Sequence, residues 1–161
     1  MPKITPNLWF DGRAEEAAAF YTSILPDSRI DDISRSPADN PSTKAGEVLL
    51  VTFTLAGQRF VGINGGPQFP FTDAVSFQID CEDQAEVDRY WEALVEGGGE
   101  HGPCGWLKDR FGLSWQVVPR EMAGYLGGPD AGGAARAMEA MLRMQKLDVA
   151  KLREAYEGST E

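Results

Sequence analysis

One histidine, His101, and two cysteines, Cys81 and Cys104, are the whole stock of strong transition-metal ligands other than carboxylates in 161 residues. Zinc sites and serine triads lean on histidine, so this chain has few ways to build either. Two cysteines do not make a disulfide framework, and a reducing cytoplasm is the expected compartment. Cations are also scarce: Lys plus Arg number 15 against 25 Asp plus Glu, a net charge of −10. That sign repels phosphate backbones and anionic membranes, and no Lys/Arg cluster offsets it, so no nucleic-acid partner is expected. No apolar run approaches the roughly 20 residues that span a bilayer, so no membrane partner is expected either. The N-terminal stretch MPKITPNLWFDG lacks a charged-then-apolar leader pattern.

What is present suits one domain over 1–161, with 42% hydrophobic and 10% aromatic residues. Residues 4–10 read as a strand before the Asp11-Gly12 turn. Helical spacing follows over 13–25, where Ala14, Ala17, Ala18, Tyr21 and Leu25 share one face. Glu15 and Glu16 suit the first turn of that helix, and Pro26 stops it. Strands are expected over 28–35, 47–56 and 59–63, the last two as a hairpin about Gly57-Gln58. The turn-rich run Asn64-Gly65-Gly66-Pro67 leads to a loop rather than a helix. The Gly-rich strand-to-helix loop of a Rossmann-type methyltransferase is therefore not formed there.

The same order then recurs. A strand over 74–81 precedes a helix over 84–96, with Asp83 as N-cap, Glu86 three residues on, and three glycines closing it. An irregular strand over 100–108 and a strand over 114–118 follow. The pattern implies an α+β fold of two βαβββ modules with mainly antiparallel sheets, at 1–70 and 71–126. Residues 127–133 read as a linker, and 134–156 as helical. Ala134, Met138, Met141 and Leu142 form one stripe, suited to core or dimer interface. Val149, Leu152 and Tyr156 form another, capped by Asp148.

Four stretches carry a resemblance. They are Ile4-Thr5-Pro6-Asn7-Leu8-Trp9-Phe10 with Phe20-Tyr21; Asn64-Gly65-Gly66 with Phe69 and Phe71; Ser76-Phe77 running to Asp88 and Trp91; and Cys104-Gly105-Trp106-Leu107-Lys108-Asp109 running to Trp115-Gln116-Val117-Val118-Pro119. Together they resemble the PhnB-like family, described as 3-demethylubiquinone-9 3-methyltransferase, of the vicinal-oxygen-chelate (glyoxalase/bleomycin-resistance) superfamily. The tail, from Ala137-Met138 to Ala155-Tyr156, resembles this branch too. The resemblance implies cupped sheets and a homodimer. It also implies where a metal would sit in metal-dependent members: near Thr5 or Pro6, near Ala74, around Ile63-Asn64 and at Gln116. Pro and Ala side chains cannot ligate, and Asn and Gln carbonyls ligate weakly. No metal and no cofactor are expected.

In the resembled fold Trp9, Asn64, Phe71, Ser76, Trp106, Trp115 and Gln116 would line an aromatic ligand pocket, although the same aromatics also suit a plain core. His101, Cys104 and Asp109 are the candidates for general acid–base or nucleophilic roles. Two functions follow. One is a small-molecule-binding protein with a dismantled chelate. The other is a metal-independent lyase or transferase acting on a small aromatic substrate.

Overall fold

Two stretches of βαβββ order organise the chain. The computed structural model describes residues 3–158, which form two compact units divided between Phe71 and Thr72. The first unit holds β1 (Asn7–Phe10), α1 (Ala14–Ile24), β2 (Arg29–Arg35), β3 (Val48–Leu55) and β4 (Gln58–Asn64). Its sheet runs β1-β4-β3-β2, with β1 parallel to β4 and the other pairs antiparallel. β1 starts three residues later than the sequence pattern suggests. Pro6 has no N–H for a ladder bond, although its carbonyl accepts from the Val61 N–H at 3.0 Å.

The small residues of α1 set how closely it packs. Ala14, Ala17, Ala18 and Tyr21 are buried, and a Cβ at Gly62 would stand 3.1 Å from that of Ala14. The helix start is capped from far away. Arg13, the N-cap, makes no side-chain cap bond. Instead Asn64 Oδ1 accepts the Ala14 N–H at 2.9 Å, while its Nδ2 donates to the Val48 carbonyl at 2.9 Å.

The second unit repeats the order with β5 (Ser76–Cys81), α2 (Gln84–Ala93), β6 (Glu100–His101), β7 (Trp106–Lys108) and β8 (Ser114–Pro119). Its sheet runs β5-β8-β7-β6, again with one parallel pair, β5 with β8. Asp83 caps α2 by accepting the Glu86 N–H at 3.0 Å, the interaction its spacing predicts. The irregular strand expected over 100–108 is instead a hairpin, β6 with β7. Cys104 and Gly105 take φ of +57° and +83°, and the Trp106 N–H bonds the Pro103 carbonyl at 3.0 Å. Two consecutive left-handed residues make a primed hairpin turn.

Three helices complete the unit: α3 (Glu121–Leu126), α4 (Ala131–Leu142) and α5 (Val149–Glu157). α4 begins inside the expected 127–133 linker, because Asp130 caps it by accepting the Gly132 N–H at 3.1 Å. Its buried residues are Gly133 and Ala137, not the Ala134, Met138, Met141, Leu142 stripe. A Cβ at Gly133 would lie 2.6 Å from the Tyr156 carbonyl. Close approach of α5 at the glycine thus turns that stripe away, and Met138 and Leu142 remain exposed. The α5 stripe buries Val149 and Leu152 as its spacing predicts, with Asp148 accepting the Lys151 N–H.

Candidate functional site

In the second unit the β6–β7 hairpin walls a concavity of about 430 Å³. Its lining is Glu100 and His101 from β6, Gly102, Pro103 and Cys104 from the turn, β7 itself, Ser114 from β8, and Asp73. Strand register explains part of this set. Trp106 pairs with Gln116, and Lys108 with Ser114. Directly paired residues project to one sheet face, so these four share it.

The His101 ring lies parallel on Trp91, centroids 4.3 Å apart, with Nε2 3.0 Å from the Trp91 carbonyl. A carbonyl only accepts, so Nε2 carries the hydrogen and donates it. Cys104 is half-buried and left-handed, a conformation that costs a non-glycine residue energy and is over-represented at working sites. Lys108 Nζ stands 2.9 Å from Asp73 Oδ1. The hydrogen bond and charge of Asp73 hold the Lys108 ammonium above its ordinary range. With Lys108 neutralised by Asp73, Glu100 leaves the rim net negative.

The remaining sequence-predicted residues are not among those lining this concavity. Trp115 is buried, and its Nε1 donates to Asp109 Oδ2 at 2.9 Å. The other carboxylate oxygen of Asp109 accepts the Phe111 and Leu113 N–H groups at 2.9 and 3.0 Å. Gln116 Nε2 donates to Ser76 Oγ at 2.9 Å. Trp9, Asn64 and Phe71 lie in the first unit. Trp9 donates to the Gly66 carbonyl at 2.8 Å and meets Phe69 edge-on at 4.9 Å; Phe71 meets Phe10 edge-on at 5.4 Å. A Cβ at Gly65 would stand 2.2 Å from carbons of the Trp9 ring, so the Gly65-Gly66 pair is a seat for that indole. The concavity therefore gathers His101, Cys104 and Trp106 and adds Lys108, Ser114, Glu100 and Asp73, which sequence reasoning missed. The alternation of Trp106-Leu107-Lys108 against Ser114-Trp115-Gln116 was the signal that could have found Lys108 and Ser114.

The positions at which the resemblance places a chelate do not fit a metal. Thr5 and Pro6 precede β1, and Ala74 precedes β5. Both polar ends of the Asn64 amide are engaged in the core, and Gln116 offers one amide oxygen. Among the described residues no three His, Cys, Asp or Glu side chains gather in a metal-binding group.

Cys81 shows the opposite environment to Cys104. It is fully buried, and burial, with the nearby Glu86 carboxylate second, pushes its thiol from 9.0 up to about 12. Native Cys81 should therefore resist iodoacetamide at pH 8 while Cys104 reacts, as peptide mapping will show. The raised value also fixes a pH dependence. The unfolded thiol ionises from about pH 9 and the native one only near pH 12, so stability declines as pH rises across that window. Cys81→Ala should flatten the decline seen in urea titrations at pH 9 and 11. An equal slope in both proteins would refute the assignment.

A model of the family 3-demethylubiquinone-9 3-methyltransferase matches residues 2–118. The tail thus lies outside the match, despite the resemblance its sequence carries. Among solved structures, a PhnB protein from Bacillus cereus is 38% identical, covering 73% of this chain and 99% of its own, with a TM-score of 0.64. A protein from Pseudomonas aeruginosa is 22% identical over 74% of this chain and 98% of its own, TM-score 0.61. The fosfomycin resistance protein FosX from Listeria monocytogenes, complexed with Mn(II) and sulfate, is 15% identical over 79% and 98%, TM-score 0.55. The latter two show the fold alone. No curated protein matches the chain.

Proposed function

The chain belongs to the 3-demethylubiquinone-9 3-methyltransferase (PhnB-like) family of the vicinal-oxygen-chelate superfamily, and we propose that it binds a small aromatic molecule, neutral or cationic, without a metal. The observation that carries this reading is the hairpin concavity, whose volume falls in the usual range for ligand sites, roughly 300–1,000 Å³. Its Trp106 and Pro103 offer apolar surface. His101 and Ser114 offer hydrogen-bonding groups, and Glu100 makes the rim favour positive charge. The reading includes a homodimer in the cytoplasm, for which Met138 and Leu142, apolar and exposed on α4, are the supporting surface.

Phenethylamine and phenylacetate share a ring and differ in charge. Phenethylamine should bind at about millimolar strength, as expected of a ligand with so few atoms, and slow iodoacetamide labelling of Cys104. Phenylacetate should do so less. If neither protects Cys104 nor shifts NMR signals of the hairpin, the reading fails. A second reading, a metal-independent lyase or transferase, is favoured by one observation: His101 and Cys104 line the same concavity. It predicts that Cys104→Ser abolishes turnover of an aromatic substrate.

A further inference from the structure

The family match stops at residue 118, yet the chain beyond it grips the hairpin turn. The Cys104 N–H donates to the Met144 carbonyl and the Gly105 N–H to the Gln145 carbonyl, each at 2.8 Å. Two residues on, Leu147 is fully buried, its side chain in the space a Cβ at Gly105 would need, 2.8 Å away. The grip is anchored at a second point. Gln84 Nε2 donates to the Leu147 carbonyl at 3.0 Å, and its Oε1 accepts the Val149 N–H at 2.8 Å. One side chain thus pairs with the segment between α4 and α5 as a neighbouring strand would.

We propose that residues 144–147 are a positioning element for the concavity, holding the Cys104–Gly105 turn in its left-handed form and so setting what the site accepts. The two N–H groups held by the tail point away from their own hairpin and have no partner in it. Without the two carbonyls the Cys104 and Gly105 N–H groups would lose these partners, and Cys104, a left-handed non-glycine residue, would relax toward commoner backbone angles. The rim is therefore shaped by a segment with no counterpart in the family match. The inference rests on the concavity being the ligand site, but its primary test does not need a ligand.

Gln84→Ala in the full chain removes the anchor without touching the concavity. Amide exchange at Cys104 and Gly105 should quicken about tenfold, as expected of local opening, and iodoacetamide should label Cys104 severalfold faster. Cys81, sealed in the core, serves as the internal control and should stay unlabelled. Leu147→Val, a milder change, should shift the same readouts in the same direction by less, which covers the case in which Gln84→Ala unfolds the protein. Phenethylamine affinity should fall with the turn's protection. The proposal is overturned if residues 149–157 exchange faster while Cys104 and Gly105 stay protected. It is equally overturned if both cysteines become reactive together, because the tail would then be a general prop. Failure of phenethylamine to bind the parent protein would sink the ligand reading alone, leaving exchange and labelling to decide the positioning role.

Discussion

Asp109→Ala should be the most damaging single substitution in the hairpin region, costing about 3–5 kcal/mol of stability. The buried carboxylate accepts three N–H groups, from Phe111, Leu113 and the Trp115 indole. An alanine leaves them without that acceptor, and a buried donor without a partner costs about 1–3 kcal/mol. For a chain of this size that corresponds to a fall in Tm of roughly 6–20 °C by thermal circular dichroism. Asp109→Asn should be milder, because an amide oxygen still serves Phe111 and Leu113 while the NH2 group opposes the Trp115 N–H. The indole N–H resonance of Trp115 should move in both variants. A loss below about 1 kcal/mol in Asp109→Ala would show that the loop between β7 and β8 does not depend on this carboxylate. The geometry makes Asp109 an organiser of that loop, so Asp109→Asn should retain phenethylamine binding if it stays folded.

The second large effect is expected at Asn64. Asn64→Ala should cost about 2–3 kcal/mol and lower Tm by roughly 4–12 °C. It removes the cap of α1 and the bond to the Val48 carbonyl together. Asn64→Asp keeps an acceptor for the Ala14 N–H but sets a carboxylate oxygen against the Val48 carbonyl. It should recover only part of the loss. If Asn64→Ala melts with the parent protein, α1 is held by its packed alanines alone. These variants also separate structure from function: Asn64 lies in the first unit, and its loss should leave Cys104 labelling in the folded protein unchanged.

Much of the architecture was legible in residue order. Period and punctuation identified α1, the hairpin of β3 and β4, and the βαβββ repeat. They also identified the caps Asp83 and Asp148, because a cap and a buried stripe are written within a few residues of each other. The sequence alone also limited the chemistry, since a single histidine leaves few metal or triad designs. What it left open depends on partners distant in the chain. The Asn64 cap reaches across 50 residues, and Gln84 meets the tail across 63 and 65. The Cys104 turn is tied to Met144. Hydrophobic spacing reports which face of an element is apolar, but not what that face meets. Thus nothing near Asn64 in the chain shows that its amide caps α1, and the stripe holding Met138 suits core and dimer interface alike until the fold makes Gly133 and Ala137 the buried residues of α4. Polar side chains such as these carry no periodic signal, and only the tertiary structure decides which distant backbone group each one satisfies.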